Sequence, residues 1–157
     1  MTPESQARSD ITLQLRRTYA APRQAVFNAW IRAEEMCHWI CPDPAAEVAI
    51  PVLEPRPGGR YRVEMRMPGG QAYDVAGVYR EVRAPERLVF TWAWDQDPPG
   101  TPETLVTVEL LERGGSTELV LTHERFANLE ERDKHGHGWN ACLDRLASAT
   151  QKKGTRP

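Results

Sequence analysis

The sequence predicts one α+β domain in which a curved, seven-stranded antiparallel sheet wraps around a long C-terminal helix, with two short helices after the first strand. Three observations predict it. From Glu47 to Glu124 short runs alternate apolar with polar residues and are punctuated by Gly and Pro, the pattern of an antiparallel meander. A further alternating run, Ile11 to Tyr19, precedes them. After Asn128 the apolar spacing changes to that of one amphipathic helix of about twenty residues. At 157 residues the chain has the length of one domain, and a chain of this size buries roughly 70% of its unfolded surface, so a single core suffices.

Strand one follows from the alternation of Ile11, Leu13 and Leu15 with Thr12, Gln14 and Arg16. Pro22 then sits where a first helical turn tolerates it, and Val26, Phe27, Trp30 and Ile31 share one face of a short helix. A second helical piece, Ala33 to Ile40, groups Met36, Trp39 and Ile40 on one side. Cys41-Pro42 ends it, because the residue before proline is pushed out of the helical region.

Val48 to Leu53 is the second strand, closed by Pro55, Pro57 and Gly58-Gly59; Tyr61, Val63, Met65 and Met67 line one face of the third, which ends at Pro68-Gly69-Gly70. These glycine pairs join strands and are read as turns, not as phosphate-cradling loops. Tyr73 to Val82 forms the fourth strand and Ala84-Pro85-Glu86 turns it. Leu88, Phe90, Trp92 and Trp94 then mark an unusually aromatic face on the fifth. Past a loop holding Pro98, Pro99, Gly100 and Pro102, Val106, Val108 and Leu110 alternate through Thr104 to Leu111, and Gly114-Gly115 makes the last hairpin. On the seventh strand Leu119, Leu121 and His123 share a side opposite Val120, Thr122 and Glu124, so a histidine lies on a leucine face.

Asn128 offers an N-cap, with Glu131 three residues on as in a capping box. Trp139, Cys142, Leu143 and Leu146 then follow helical spacing, and Lys152 and Lys153 favour the negative end of the helix dipole. Gly136 and Gly138 lie inside this helix at about 1 kcal/mol each relative to Ala, so they either permit close packing or mark a bend. No other element is long enough to cover the sheet's apolar face. A curved sheet gripping one helix tends to leave a hollow between them.

The expected organisation is a flexible N-terminus over residues 1–10, one domain over 11–150 and a flexible tail over 151–157. No run approaches the roughly 18 apolar residues of a membrane span. Residues 1–10 carry Glu4, Arg8 and Asp10 in place of an apolar signal stretch, which makes cytoplasmic residence the expectation. The formal charge is −2, from 20 basic and 22 acidic residues, with no Lys/Arg cluster dense enough to track a phosphate backbone, so nucleic acid is not an expected partner. The odd set Cys37, Cys41 and Cys142 argues for reduced thiols.

Several segments taken together are specific: Ala21-Pro22 with Val26, Ala29 and Trp30; Trp39; Pro57-Gly58-Gly59-Arg60-Tyr61; Gly77 with Glu81-Val82; Arg87-Leu88-Val89-Phe90-Thr91-Trp92; Leu119 to His123; and Gly138-Trp139 with Leu143 and Leu146. Over about Ile11 to Ala149 the chain resembles the SRPBCC or START-like superfamily, and within it the group related to the activator of heat-shock protein 90 ATPase. The resemblance implies a helix-grip fold of the START/Bet v kind, with a cavity between sheet and long helix that in many members holds a hydrophobic ligand. The eukaryotic chaperone activators of that group carry an additional N-terminal domain, which this sequence is not expected to contain.

The expected function is therefore binding of a small hydrophobic or amphipathic molecule, such as a lipid, a polyketide or an aromatic compound, without a cofactor. Its walls would come from Trp30, Trp39, Val63, Met65, Phe90, Trp92, Val106, Leu121, Trp139 and Leu143, with His123 as the polar contact. Five tryptophans exceed what filling a core needs, since an indole N–H is awkward to bury without a partner; plain core packing is the competing account. One alternative is a cyclase or dehydratase using His123 as acid/base, its reference pKa being ~6.5; such chemistry wants a second positioned group. Asp74, Glu64 and Arg80 would reach the cavity only in the opposite strand register and are otherwise solvent-facing. A second alternative is stimulation of heat-shock protein 90 ATPase, and the reading is compatible with a homodimer. Cys37, His38 and Cys41 lack repeated ligand spacing, and His135 and His137 point about 200° apart on a helix, so no metal is expected. Cys37 and Cys142 are expected as small buried apolar residues.

Overall fold

Every strand that the alternation predicts is present, and the register buries the faces it favours. A computed structural model describes residues 11–154, with side chains as far as residue 150. The elements are β1 (Thr12–Tyr19), α1 (Arg23–Ile31), α2 (Ala33–Met36), β2 (Glu47–Leu53), β3 (Arg60–Arg66), β4 (Ala72–Arg83), β5 (Arg87–Trp94), β6 (Thr104–Arg113), β7 (Ser116–Glu124) and α3 (Leu129–Gly154). The expected ends over 1–10 and 151–157 lie outside the described residues, apart from the helical backbone of 151–154.

The sheet is antiparallel throughout, in the order β1-β7-β6-β5-β4-β3-β2. Consecutive hairpins generate this order from β2 to β7, and β1 then closes on β7, so the segment with α1 and α2 must carry the chain from one edge to the other. Pro51 falls in edge strand β2, inside a register shift between Ala49 and Val52, the sort of place where a missing N–H costs the ladder least.

One face of the sheet supplies Tyr61, Val63, Met65, Val75, Tyr79, Leu88, Phe90, Trp92, Val106, Val108, Leu110, Leu119 and Leu121 to a single buried cluster. Against it α3 sets Trp139, Cys142, Leu143 and Leu146, and α1 sets Val26, Phe27, Ala29 and Trp30. Fully burying a Leu or Phe side chain stabilises by about 1.5–3 kcal/mol, which is why this stripe fixes the register. Side-chain bonds tie the layers: Tyr19 donates to the carbonyl of Leu143 at 3.0 Å, and Arg17 on β1 pairs with Asp144 on α3.

Gly77 explains how the sheet bends. A Cβ there would lie 2.0 Å from the carbonyl oxygen of Thr91 and 2.7 Å from the Tyr61 ring, so β4 and β5 approach where no side chain fits. The next ladder step carries a register shift between Tyr79 and Glu81. Bulge and glycine together supply curvature.

Three expectations need correcting. The second helical piece ends at Met36, not Ile40. Trp39 is fully buried and its indole donates to the carbonyl of Ala29 at 3.0 Å, so the chain leaves the helix to bury Trp39, Ile40 and Cys41 together. Cys37 is consequently half-exposed, and Cys41 takes the buried position. The long helix also exceeds its expected length, with 26 residues. Its start is as expected: the N–H of Glu131 donates to Oδ1 of Asn128 at 2.8 Å.

Candidate functional site

The N-terminal half of α3 does not close fully on the sheet. Between them lies a hollow of about 430 Å³, walled by Ile40, Met65, Trp92, Trp139 and Cys142, with Pro42 beside them. Gly138 also faces it, and a Cβ at that position would meet nothing within 4 Å. Polar groups gather at the rim, where Tyr73, Gln96, Asp97, Glu131 and Lys134 complete the lining. Three strands, β3, β4 and β5, and the turn after β5 thus set the sheet side, and every third or fourth residue of α3 sets the other.

A second hollow, of about 560 Å³, lies under the loop joining β5 to β6. Its lining is more polar and includes Asp97, Glu103, Thr104, Arg125 and Glu131. Arg125 has φ of 74°, a backbone conformation uncommon outside glycine, at the corner where β7 gives way to the helix N-cap. Trp92, Trp94 and His135 belong to both hollows and form the partition between them.

That partition is an aromatic cluster with fixed hydrogen bonds. Trp94 Nε1 donates to His135 Nε2 at 3.0 Å, and His135 Nδ1 donates to the carbonyl of Glu131 at 2.8 Å. Behind it, Trp139 Nε1 donates to His123 Nδ1 at 3.0 Å, while Nε2 of His123 lies 2.7 Å from Thr104 Oγ1. The two imidazole centroids are 5.0 Å apart, with Phe126 stacked 4.3 Å from one and 4.9 Å from the other. Burial, then the neighbouring His135 charge, holds the His123 pKa well below the ordinary imidazole value. His135 is lowered too, by burial, against the opposing pull of Glu131 and Asp97. Both rings are therefore neutral at pH 7.

The expected wall residues divide into three groups. Met65, Trp92 and Trp139 line the 430 Å³ hollow. Trp30, Val63 and Phe90 meet Trp92 around a far smaller void of about 10 Å³ in the core centre. Trp39, Val106, Leu121 and Leu143 line none of these spaces and are core packing, at 0% exposure each. His123 is likewise 0% exposed and sits behind the partition, so the polar atom at the wall belongs to His135.

Reasoning from sequence missed His135, and the signal was available: His135, Trp139, Cys142 and Leu146 share one helical stripe. Ile40 lies on the apolar side of the expected short helix and Pro42 marks its stop, but irregular chain after Met36 brings both to the site. Trp30 Nε1 and Trp92 Nε1 are buried with no hydrogen-bond partner. Asp74 and Glu64 face away from the cavity side and join Asp95 around Arg62, at 3.4, 2.9 and 2.7 Å. Among the described residues no group of three His, Cys, Asp or Glu side chains is arranged to hold a metal, and no helix is long and apolar enough to cross a membrane.

This architecture defines a helix-grip domain, a sheet closed on its C-terminal helix over a partly open interior. Residues 20–151 match the family described as Activator of Hsp90 ATPase homolog 1-like protein, and the chain belongs to that family. A crystal structure from Chromobacterium violaceum superposes with a TM-score of 0.82 at 24% identity, covering 90% of this chain and 97% of that one. The AHSA1 protein of Silicibacter pomeroyi gives 0.79 at 27% identity, with 90% and 99% covered. A solution structure from Arthrobacter aurescens gives 0.80 at 17% identity, with 92% and 88% covered. No curated protein matches the chain.

Proposed function

We propose that this protein binds a small hydrophobic or amphipathic molecule in the hollow beneath α3. One observation carries the reading: a space of about 430 Å³ has indole, thioether and aliphatic walls, while its charged groups collect at the rim. That volume lies in the roughly 300–1,000 Å³ span of small-molecule sites, and the arrangement of apolar walls with a few convergent polar groups is typical of them. Trp92 and Trp139, with ring centroids 5.1 Å apart and planes at 44°, offer broad apolar area at little rotamer cost.

An acid/base role for His123 draws less support. Both its nitrogens are engaged and its ring has no exposure, so a substrate in the hollow would not reach it.

Tryptophan-quenching titrations against lipids, polyketides and aromatic compounds test the binding reading, with Gly138→Leu as the control. A leucine at this open position projects into the hollow without meeting the core. The expected result is saturable quenching by at least one class, lost in Gly138→Leu. If no class gives a saturable response, or if the leucine variant binds as the parent does, the reading is wrong.

A further inference from the structure

We propose that the Trp94–His135 pair reads the ligand's polar group, and that the ligand is a neutral molecule carrying a hydroxyl on an apolar body. This rests on the binding reading above and narrows it to a chemical class.

The pair has fixed polarity. His135 Nδ1 lies 2.8 Å from the carbonyl of Glu131, and a carbonyl only accepts, so that nitrogen carries the proton and Nε2 holds the lone pair. Trp94 Nε1 can only donate, and it does so to that lone pair. The cavity wall therefore holds one donor and one acceptor from opposite layers of the fold, bonded to each other at the border of both hollows, and a ligand group meets them only by inserting between them.

A ligand group that opens this bond must satisfy both atoms, replacing one bond with two, or leave one bare. A hydroxyl accepts from the indole and donates to the imidazole through a single oxygen. A carbonyl satisfies Trp94 alone and strands Nε2; an ammonium satisfies Nε2 and strands the indole. A carboxylate strands Nε2 and also brings negative charge among acids.

Those acids are Asp97 on the turn after β5, Glu131 on α3 and Glu103 before β6. Of the nearby cations, Lys134 is already paired with Glu130 at 3.7 Å and Glu131 at 3.9 Å, and Arg125 lines only the second hollow. His123, the remaining titratable neighbour, is 5.0 Å away and neutral. In the 430 Å³ hollow the charged groups are Asp97, Glu131 and the paired Lys134, so nothing unpaired there attracts an anion. Trp94 is half-buried at the end of β5, next to the 95–97 turn, so it is the member placed to swing aside for an incoming oxygen.

Isothermal titration calorimetry at pH 7.5 with 2-naphthol, 2-methylnaphthalene and 2-naphthoate holds the flat body constant and changes one group. The expected order is 2-naphthol tightest, by about tenfold over 2-methylnaphthalene, with 2-naphthoate weakest. In Trp94→Phe and His135→Phe the naphthol advantage shrinks toward parity while 2-methylnaphthalene still binds. Binding of 2-methylnaphthalene with no gain from the hydroxyl, or 2-naphthoate as tight as 2-naphthol, overturns the proposal and leaves the parent reading intact. Binding of none of the three overturns this proposal, and it overturns the parent reading too only when lipids and polyketides also fail to quench. Should a variant fail to fold, the order measured on the unaltered protein still decides.

Discussion

The indole nitrogen of Trp139 donates to Nδ1 of His123 across 3.0 Å, and this bond determines where the histidine keeps its proton. An indole cannot accept, so Nδ1 must carry a lone pair and Nε2 the hydrogen. Thr104 completes the chain: its hydroxyl donates to the carbonyl of Trp92 at 3.1 Å, leaving its oxygen to accept from His123 Nε2 at 2.7 Å. The expected outcome is a neutral His123 in the Nε2–H form, seen by ¹⁵N chemical shifts that stay unchanged down to pH 6. His135, bonded at Nδ1 to Glu131, should show the opposite tautomer in the same spectrum. Identical tautomers at the two sites would contradict the geometry.

Acid should weaken the fold through these rings. Both are held below the ordinary imidazole pKa when folded, chiefly by burial, and return to about 6.5 when unfolded. Below that pH the unfolded chain takes up protons that the folded chain does not, so stability is complete above it and falls as pH drops. The slope is about 1.4 kcal/mol per pH unit for each histidine, until the folded pKa is reached. Urea denaturation at pH 7.5 and 5.5 should show a loss of about 1.4 kcal/mol from His123, with a further loss from His135. The carboxylates of Glu81, Asp95 and Glu118, held low by arginine partners, act only in a more acidic window and do not obscure this one. Equal stability at the two pH values would show that the imidazoles are not buried neutral.

Two glycines that look alike in sequence should respond in opposite directions to alanine. At Gly77 the added carbon lands 2.0 Å from backbone that cannot move without opening β4 from β5, so Gly77→Ala should cost about 3 kcal/mol. At Gly138 the carbon meets nothing within 4 Å and gains helix propensity, so Gly138→Ala should stabilise by up to about 1 kcal/mol, or about 2–4 °C in Tm. Thermal unfolding of both variants reads the two signs directly.

The same contrast shows what a sequence can convey. Strand alternation told which faces meet the core because register leaves no freedom once one face is buried, and Leu119, Leu121 and His123 duly share it. Alternation does not tell whether an inward residue meets another side chain or a space. Trp92 and Leu121 both point inward, yet Trp92 borders the hollow and Leu121 does not, because the N-terminal half of α3 stands off the sheet while the centre closes down. That stand-off is a tertiary fact. His135 was legible in part, being four residues before Trp139, but its meaning depends on Trp94 arriving from a strand 41 residues earlier.

Thiol chemistry offers a check on packing that needs no ligand. Cys142 borders the hollow, yet its Sγ donates to the carbonyl of Ile40 at 3.0 Å and burial pushes its pKa up to about 12. At pH 8 the reactive thiolate is then about one part in ten thousand. Cys41 is fully buried and its pKa is also raised by burial, so neither thiol should react in the folded state despite the open space nearby. Cys37 is half-exposed where the short helix ends, and it should alkylate first. Intact-mass spectrometry after brief iodoacetamide treatment should therefore show one adduct, mapped by peptide analysis to Cys37, and three only after denaturation. Early modification of Cys142 would mean that α3 lifts from the sheet far enough to release the Ile40 contact, and the hollow would then be a fluctuating gap instead of a formed site.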